Sequence, residues 1–110
     1  RNNYRDSGIK IGELVRTSIR ELSASNLIDN KMVKNLMESQ YSKRIFNLSY
    51  PFMIKIDRQK DLRKQRMINN HTRYWAEIFI INGDDYFICS EWFEDRHRSF
   101  FEGWKSQIIP

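Results

Sequence analysis

The sequence predicts an α+β domain with three N-terminal helices, a small antiparallel three-stranded sheet and a C-terminal helix. Apolar residues recur at helical spacing through the first half of the chain, to about residue 48. Residues 74–90 are instead rich in aromatic and β-branched side chains around the turn signal Asn82-Gly83. After residue 90, aromatic residues again recur at helical spacing to the end of the chain.

Length and composition indicate one domain. The 110 residues are 40% hydrophobic, which suffices for a modest core, so we predict a single domain over residues 1–110. Because the sequence begins at Arg1 without Met, we expect a fragment of a longer protein. No apolar run approaches the roughly 20 residues of a membrane helix. The single cysteine, Cys89, excludes an internal disulfide and favours the reducing cytoplasm.

Two helices open the domain. Residues 9–25 place apolar and charged side chains on opposite faces at a helical period, which predicts an amphipathic helix of about four turns. Residues 27–39 form the second helix, with Asp29 as its N-cap because a carboxylate accepts hydrogen bonds from free backbone N–H groups.

The third predicted helix is short and carries a polar face. It covers YSKRIFNL, with Ser39 or Ser42 as the capping residue, and Pro51 prevents its continuation. Its outward side chains are of types that read base edges in the major groove. These candidate contacts are Gln40, Ser42, Lys43, Arg44 and Asn47.

A basic segment follows the first predicted strand. Residues 55–73 hold seven basic and two acidic side chains in a chain of net charge +5. Lys and Arg bind phosphates with release of counterions, so residues 58–73 are candidates for a phosphate contact, and a solvated loop is the alternative. The candidate residues are Arg58, Lys60, Arg63, Lys64, Arg66 and Arg73. Within the segment, DLRKQRMI predicts a turn or two of helix.

The sheet is predicted from strands 52–56, 74–81 and 86–90, with the basic segment between the first two. A final helix covers SEWFEDRHRSFFEGWKSQII, with Ser90 as N-cap. It carries a wide apolar face that packs on the sheet or on a partner, and we expect His97 to be a packing residue. The candidate partner contacts are Phe93, Phe100, Phe101 and Trp104.

This order of elements is that of a winged helix, with the basic segment in the place of an enlarged wing. The stretches YSKRIFNLSYPFM and DDYFICSEWFEDRHRSFFEGWK resemble modules of bacterial restriction and other DNA-processing proteins. In those modules a helix-turn-helix-like segment leads into a hairpin and a terminal aromatic helix. The resemblance covers about half the chain and implies DNA binding; no catalytic residue carries over.

The sequence therefore predicts a non-catalytic DNA-binding module without cofactor or metal. Two histidines and one cysteine do not make a zinc site, and the turn position of Asp84 and Asp85 explains both without a metal. Duplex DNA is the expected partner, with RNA as an alternative. A second alternative is a protein-interaction module, in which the C-terminal helix contacts another copy or a neighbouring domain.

Overall fold

A computed structural model describes residues 8–110 and confirms the predicted α+β class. The helices are α1 (Ile11–Ala24), α2 (Asn30–Leu36), α3 (Ser39–Phe46), α4 (Leu62–Gln65) and α5 (Glu94–Ile108). The strands are β1 (Met53–Lys55), β2 (Met67–Ile68), β3 (His71–Thr72), β4 (Phe79–Ile81) and β5 (Asp84–Ile88). None of the helices within residues 8–110 has both the length and the apolar composition of a membrane span.

The first two helices form where they are predicted, but α2 is shorter than its predicted range of 27–39 at both ends. α1 buries one side, where Val15 and Ile19 are fully enclosed by the core. The carboxylate of Asp29 accepts the N–H of Met32 at 2.8 Å and caps α2 as expected. The start of α2 therefore follows from a local sequence signal, whereas α1 begins after Lys10 without a side-chain cap.

The predicted cap of α3 is wrong. Glu38 occupies the N-cap position and makes no side-chain cap, while Ser39 is the first helical residue. Ser42 is fully buried, and its hydroxyl accepts the N–H of Phe52 at 2.7 Å. Its role is thus to anchor the chain as it enters β1, and the prediction that it contacts nucleic acid is corrected.

The main sheet has the antiparallel order β1-β5-β4, so β5 is the central strand. Its partners include Met53 opposite Ile88 and Phe79 opposite Tyr86. The Asn82-Gly83 turn joins β4 and β5 as predicted, with positive φ angles of 53° and 87°. The basic segment connects the two outer strands of this sheet.

β4 is shorter than the predicted strand 74–81. Tyr74 pairs with Cys89 in an isolated bridge, and the N–H of Trp75 donates to the carbonyl of Ile88 at 3.0 Å. Residues 76–78 then leave the ladder before it resumes at Phe79. Contacts with α1 explain the departure. The ring of Trp75 packs on Gly12, where an added Cβ would lie 3.2 Å from it, and Glu77 binds Arg20 at 2.9 Å.

α5 begins four residues after its predicted cap. The N–H of Ser90 donates to the carbonyl of Arg73 at 2.8 Å, so the backbone of Ser90 is still hydrogen-bonded alongside residues 73–74, beyond the end of β5. Phe93 is the N-cap, and Nδ1 of His97 accepts its N–H at 2.8 Å. A helix can begin only after the chain has left the sheet, which is why the serine signal misplaces the start.

Two of the four predicted partner contacts are core residues. Phe101 is fully buried and Trp104 almost so, and both pack on Phe46 and Phe52. They join α5 to α3 and the start of β1, since aromatic side chains contribute large buried areas. The prediction that Phe101 and Trp104 face a partner is therefore corrected.

Candidate nucleic-acid interface

The basic segment is folded over much of its length. The predicted helical turn is present as α4, capped by the carboxylate of Asp61, which accepts the N–H of Lys64 at 2.9 Å. A hairpin follows, in which β2 and β3 pair around the left-handed residues Asn69 and Asn70. We call residues 66–73 the exposed hairpin. The Asn-Asn pair between two short strand-forming runs is the sequence signal that could have predicted it.

Three of the predicted phosphate contacts are engaged with carboxylates of the chain itself. Arg58 Nε lies 2.8 Å from Asp85 Oδ2, and Lys60 Nζ lies 3.9 Å from Asp57 Oδ2. In the third pair, Arg73 Nη1 contacts Glu91 Oε1 at 2.8 Å. An internal carboxylate competes with a phosphate for the same cation, so these three positions are less available than their sequence suggests.

The remaining basic residues of the segment lie on α4 and at the base of the exposed hairpin. Arg63 and Lys64 are exposed, and within residues 8–110 neither has a carboxylate within ion-pair distance. Arg66 is half-buried, and its Nε donates to the carbonyl of Tyr74 at 3.1 Å. The phosphate-contact prediction therefore concentrates on Arg63 and Lys64, with Arg66 beside them.

The polar face of α3 is largely as predicted. Gln40, Lys43 and Arg44 are exposed, and the Arg44 guanidinium lies 5.5 Å from the ring centre of Tyr41. Asn47 is half-buried and ends the helix in a left-handed conformation, and its Oδ1 accepts from Lys43 Nζ at 3.1 Å. Three side chains of suitable type thus remain available on one helical face.

One pocket brings α3 and the basic segment together. It has a volume of about 440 Å³, and we call it the junction pocket. Its polar and aromatic lining includes Lys43, Asn47, Tyr50, Arg73, Arg96 and His97. The end of α3, the base of the exposed hairpin and the first turn of α5 therefore meet at one place on the surface.

Sequence reasoning missed Arg96. This residue is exposed in the first turn of α5, and its guanidinium lies 5.7 Å from the ring centre of Phe93. An arginine that directly follows the acidic residues Glu94 and Asp95 gives no sequence signal of a site. Arg96 and Lys43 are about fifty residues apart in the sequence, and they line one pocket only because α5 packs against α3.

His97 links the end of α3 to the start of α5 at this junction. Since Nδ1 accepts the N–H of Phe93, the ring proton resides on Nε2, which donates to the carbonyl of Asn47 at 3.3 Å. Burial lowers the pKa of His97 from its ordinary value, and both nitrogens are used in the neutral form. The prediction that His97 is a packing residue is confirmed, with an added role in joining α3 to α5.

Three other side chains that could carry chemistry, those of Asp84, Asp85 and Cys89, have structural explanations. Asp84 and Asp85 follow the turn and lie beside Lys55 and Arg58, at 3.7 and 2.8 Å. Cys89 is fully buried, and burial raises the pKa of its thiol to about 12, which keeps it protonated and unreactive at neutral pH.

Two predicted partner contacts remain on the surface. The side chains of Phe93 and Phe100 are 52% and 47% exposed. Phe100 lies within α5, and Phe93 is the N-cap residue of the same helix. No family model, curated protein or solved structure matches the chain.

Proposed function

We propose that this domain is a non-catalytic module that binds duplex DNA in the cytoplasm. In this proposal α3 approaches the major groove with Gln40, Lys43 and Arg44. Arg63 and Lys64 on α4 contact phosphates, which position the domain without reading sequence. The use of a single cysteine, without a disulfide partner in the chain, supports a reducing compartment.

The junction pocket is the observation that carries this proposal. Lys43 and Asn47 at the end of α3 line the same pocket as Arg73, the last residue of the exposed hairpin. The C-terminal end of α3 and the C-terminal end of the exposed hairpin therefore meet at one part of the surface. A duplex that contacts one of them lies near the other, which supports a joint interface.

Fluorescence anisotropy with a labelled mixed-sequence duplex, titrated over a range of salt concentrations, tests the proposal. Binding should weaken steeply with salt, with a slope of log K against log salt near −0.9 per neutralised phosphate. The double variant Arg63→Glu/Lys64→Glu should lower duplex affinity about tenfold or more at low salt and flatten the slope by about two phosphates.

The matched control is Lys31→Glu/Lys34→Glu. It reverses the same number of exposed charges on α2, which we do not assign to DNA contact. A smaller loss in this control than in the α4 variant supports a local interface. Equal losses would show that only net charge matters, and no duplex binding at low salt would refute the proposal. Parallel titrations with single strands and structured RNA identify RNA as the partner if it binds more tightly.

Protein interaction through α5 is a second candidate function, supported by the exposure of Phe93 and Phe100. Large apolar side chains grouped on one exposed side often mark a contact surface. Sedimentation velocity of the unmodified chain and of Phe100→Ser tests it. Self-association that the substitution abolishes would favour this function, and a monomer at all concentrations would speak against a homodimer.

A further inference from the structure

The junction pocket gathers more positive charge than the chain itself neutralises. Lys43, Arg73 and Arg96 come from three separate elements, and Glu91 is the carboxylate that lines the pocket with them. Glu91 is already engaged by Arg73 at 2.8 Å and by the hydroxyl of Ser90 at 3.3 Å. Like charges held together in a recess repel one another, and a bound anion would relieve that repulsion.

Arg73 is held in place with donors to spare. Its Nη1 is bound to Glu91, and its guanidinium carbon lies 5.2 Å from the ring centre of Tyr50. Its Nε is buried without a hydrogen-bond partner among the described residues, so the donors left for a ligand are those of the two terminal amino groups. A guanidinium has five N–H donors, so an arginine fixed by one carboxylate and one ring is preorganised to bind a second anion.

The size of the pocket exceeds the needs of a single phosphate group. Its volume of about 440 Å³ falls in the range of about 300–1,000 Å³ that is usual for small-molecule sites. Tyr50 and Phe93 contribute aromatic rings to the lining, each with a guanidinium close by. Aromatic rings and guanidinium planes are the surfaces on which proteins stack nucleic-acid bases.

We propose that the junction pocket binds the phosphate monoester of a nucleotide, either free or at the end of a DNA strand. A monoester carries close to two negative charges at neutral pH, which suits a site with three cations and one carboxylate. It also has a free end that can enter a recess, whereas an internal phosphodiester is flanked by sugars on both sides. The proposal goes beyond duplex binding by α3 and α4, because a free mononucleotide needs no contact with α4 and uses only Lys43 of the three α3 side chains assigned to the groove.

Isothermal titration of the unmodified chain with AMP and with adenosine, at one ionic strength, is the first test. AMP should bind at least about tenfold more tightly than adenosine, because the charge-assisted hydrogen bonds go to the phosphate. The variant Arg96→Gln should remove most of that preference. The control Lys31→Gln, on the exposed surface of α2, should retain it.

Two duplexes of one sequence, with 5′-phosphate or 5′-hydroxyl ends, identify the source of the nucleotide. A preference of about tenfold for the phosphorylated ends, lost in Arg96→Gln, assigns the pocket to strand ends. AMP binding without an end preference assigns it to free nucleotides. The proposal is overturned if AMP binds no better than adenosine and both duplexes bind alike.

The same measurements separate the two proposals. Salt-dependent binding of both duplexes alike, together with no AMP preference, would retain the DNA proposal and remove the pocket proposal. An AMP preference without duplex binding would do the reverse.

Discussion

Two hairpins in this protein share a turn and differ in their surroundings. The exposed hairpin turns at Asn69-Asn70, with φ angles of 52° and 67°, and the sheet hairpin of β4 and β5 turns at Asn82-Gly83, with 53° and 87°. Both are two-residue turns of left-handed residues, the geometry that matches the twist of paired strands. In each, an isoleucine ends the strand before the turn.

Burial distinguishes the two hairpins. Ile81 and Phe87 of the sheet hairpin are almost completely buried, and β1 pairs with β5 to add a third strand. β3 is exposed, and β2 is half-buried and pairs with β3 alone. A two-stranded hairpin is marginally stable by itself, so the exposed one depends on attachments at its base. The turn residues thus produce a hairpin in both places, and burial decides which one supports the fold.

The largest expected difference follows from truncating the isoleucine before each turn. Ile81→Ala should lower the free energy of unfolding by about 2–5 kcal/mol, because it leaves a cavity in the core. Ile68→Ala, at a half-buried position, should cost about 1 kcal/mol. Urea unfolding followed by tryptophan fluorescence gives both values. Equal losses would show that the exposed hairpin is as much a part of the core as the sheet hairpin.

The first turn residue should show a smaller difference of the same sign. Asn82 Nδ2 donates to the carbonyl of Ile28 at 2.9 Å and to Asn30 Oδ1 at 3.1 Å, whereas the described contacts of Asn69 include no side-chain hydrogen bond. Asn82→Ala loses these bonds and strains the left-handed backbone, at a combined cost of about 2–3 kcal/mol. Asn69→Ala bears the strain alone, about 1–2 kcal/mol. Asn82→Gly isolates the hydrogen bonds, since glycine removes the strain.

The two histidines should differ in their effect on how stability depends on pH. His97 is buried where α5 meets α3, whereas His71 is exposed on β3 of the exposed hairpin. The pKa of His97 is lower in the folded protein than its ordinary value of 6.5, so the unfolded chain binds more protons as the pH falls. Stability from neutral His97 is therefore complete above about pH 6.5 and declines below it.

Unfolding free energies measured from about pH 7.5 to 5.5 test this effect. The wild-type protein should exceed His97→Gln in stability at the upper pH, and this difference should shrink toward the lower one. His71→Gln is the control, since this exposed side chain makes no hydrogen bond to another described residue. A difference that stays constant across the range would show that protonation of His97 does not oppose folding.

Signals confined to a few neighbouring residues predicted the fold correctly. Asp29 and Asn82-Gly83 act within three or four residues, and the structure places both as expected. Ser42 and Ser90 carry the same kind of local signal, but each forms its hydrogen bond with a distant segment instead. A serine can serve a helix end or a remote backbone group equally well, so sequence could not decide between them.

The sequence predicted that the candidate site is basic, but it could not predict which of its basic residues form ion pairs within the chain. A positive segment is visible in the sequence, and Arg63 and Lys64 remain exposed on it. Arg58 lies 27 residues from Asp85, and Arg73 lies 18 residues from Glu91, so their ion pairs exist only once the sheet has formed. The packing of α5 on α3 likewise brings Arg96 into the junction pocket, and no local sequence pattern predicts that pocket.

The smallest expected effect concerns the ion pair that joins the basic segment to the sheet hairpin. Asp85→Asn removes the carboxylate that holds Arg58 at 2.8 Å, and it should cost about 1 kcal/mol or less because the side chain of Arg58 is exposed and that of Asp85 is partly so. The released arginine and the lost negative charge should raise duplex affinity about two- to fivefold at low salt. Asp84→Asn, on the same strand, is the control, since it removes one charge and releases Lys55 from a longer contact of 3.7 Å. Titration of both variants with the same duplex then locates the edge of the interface. If only Asp85→Asn raises duplex affinity, Arg58 belongs to the phosphate-contacting surface together with α4. If both variants raise it equally, the interface ends at α4 and does not include Arg58.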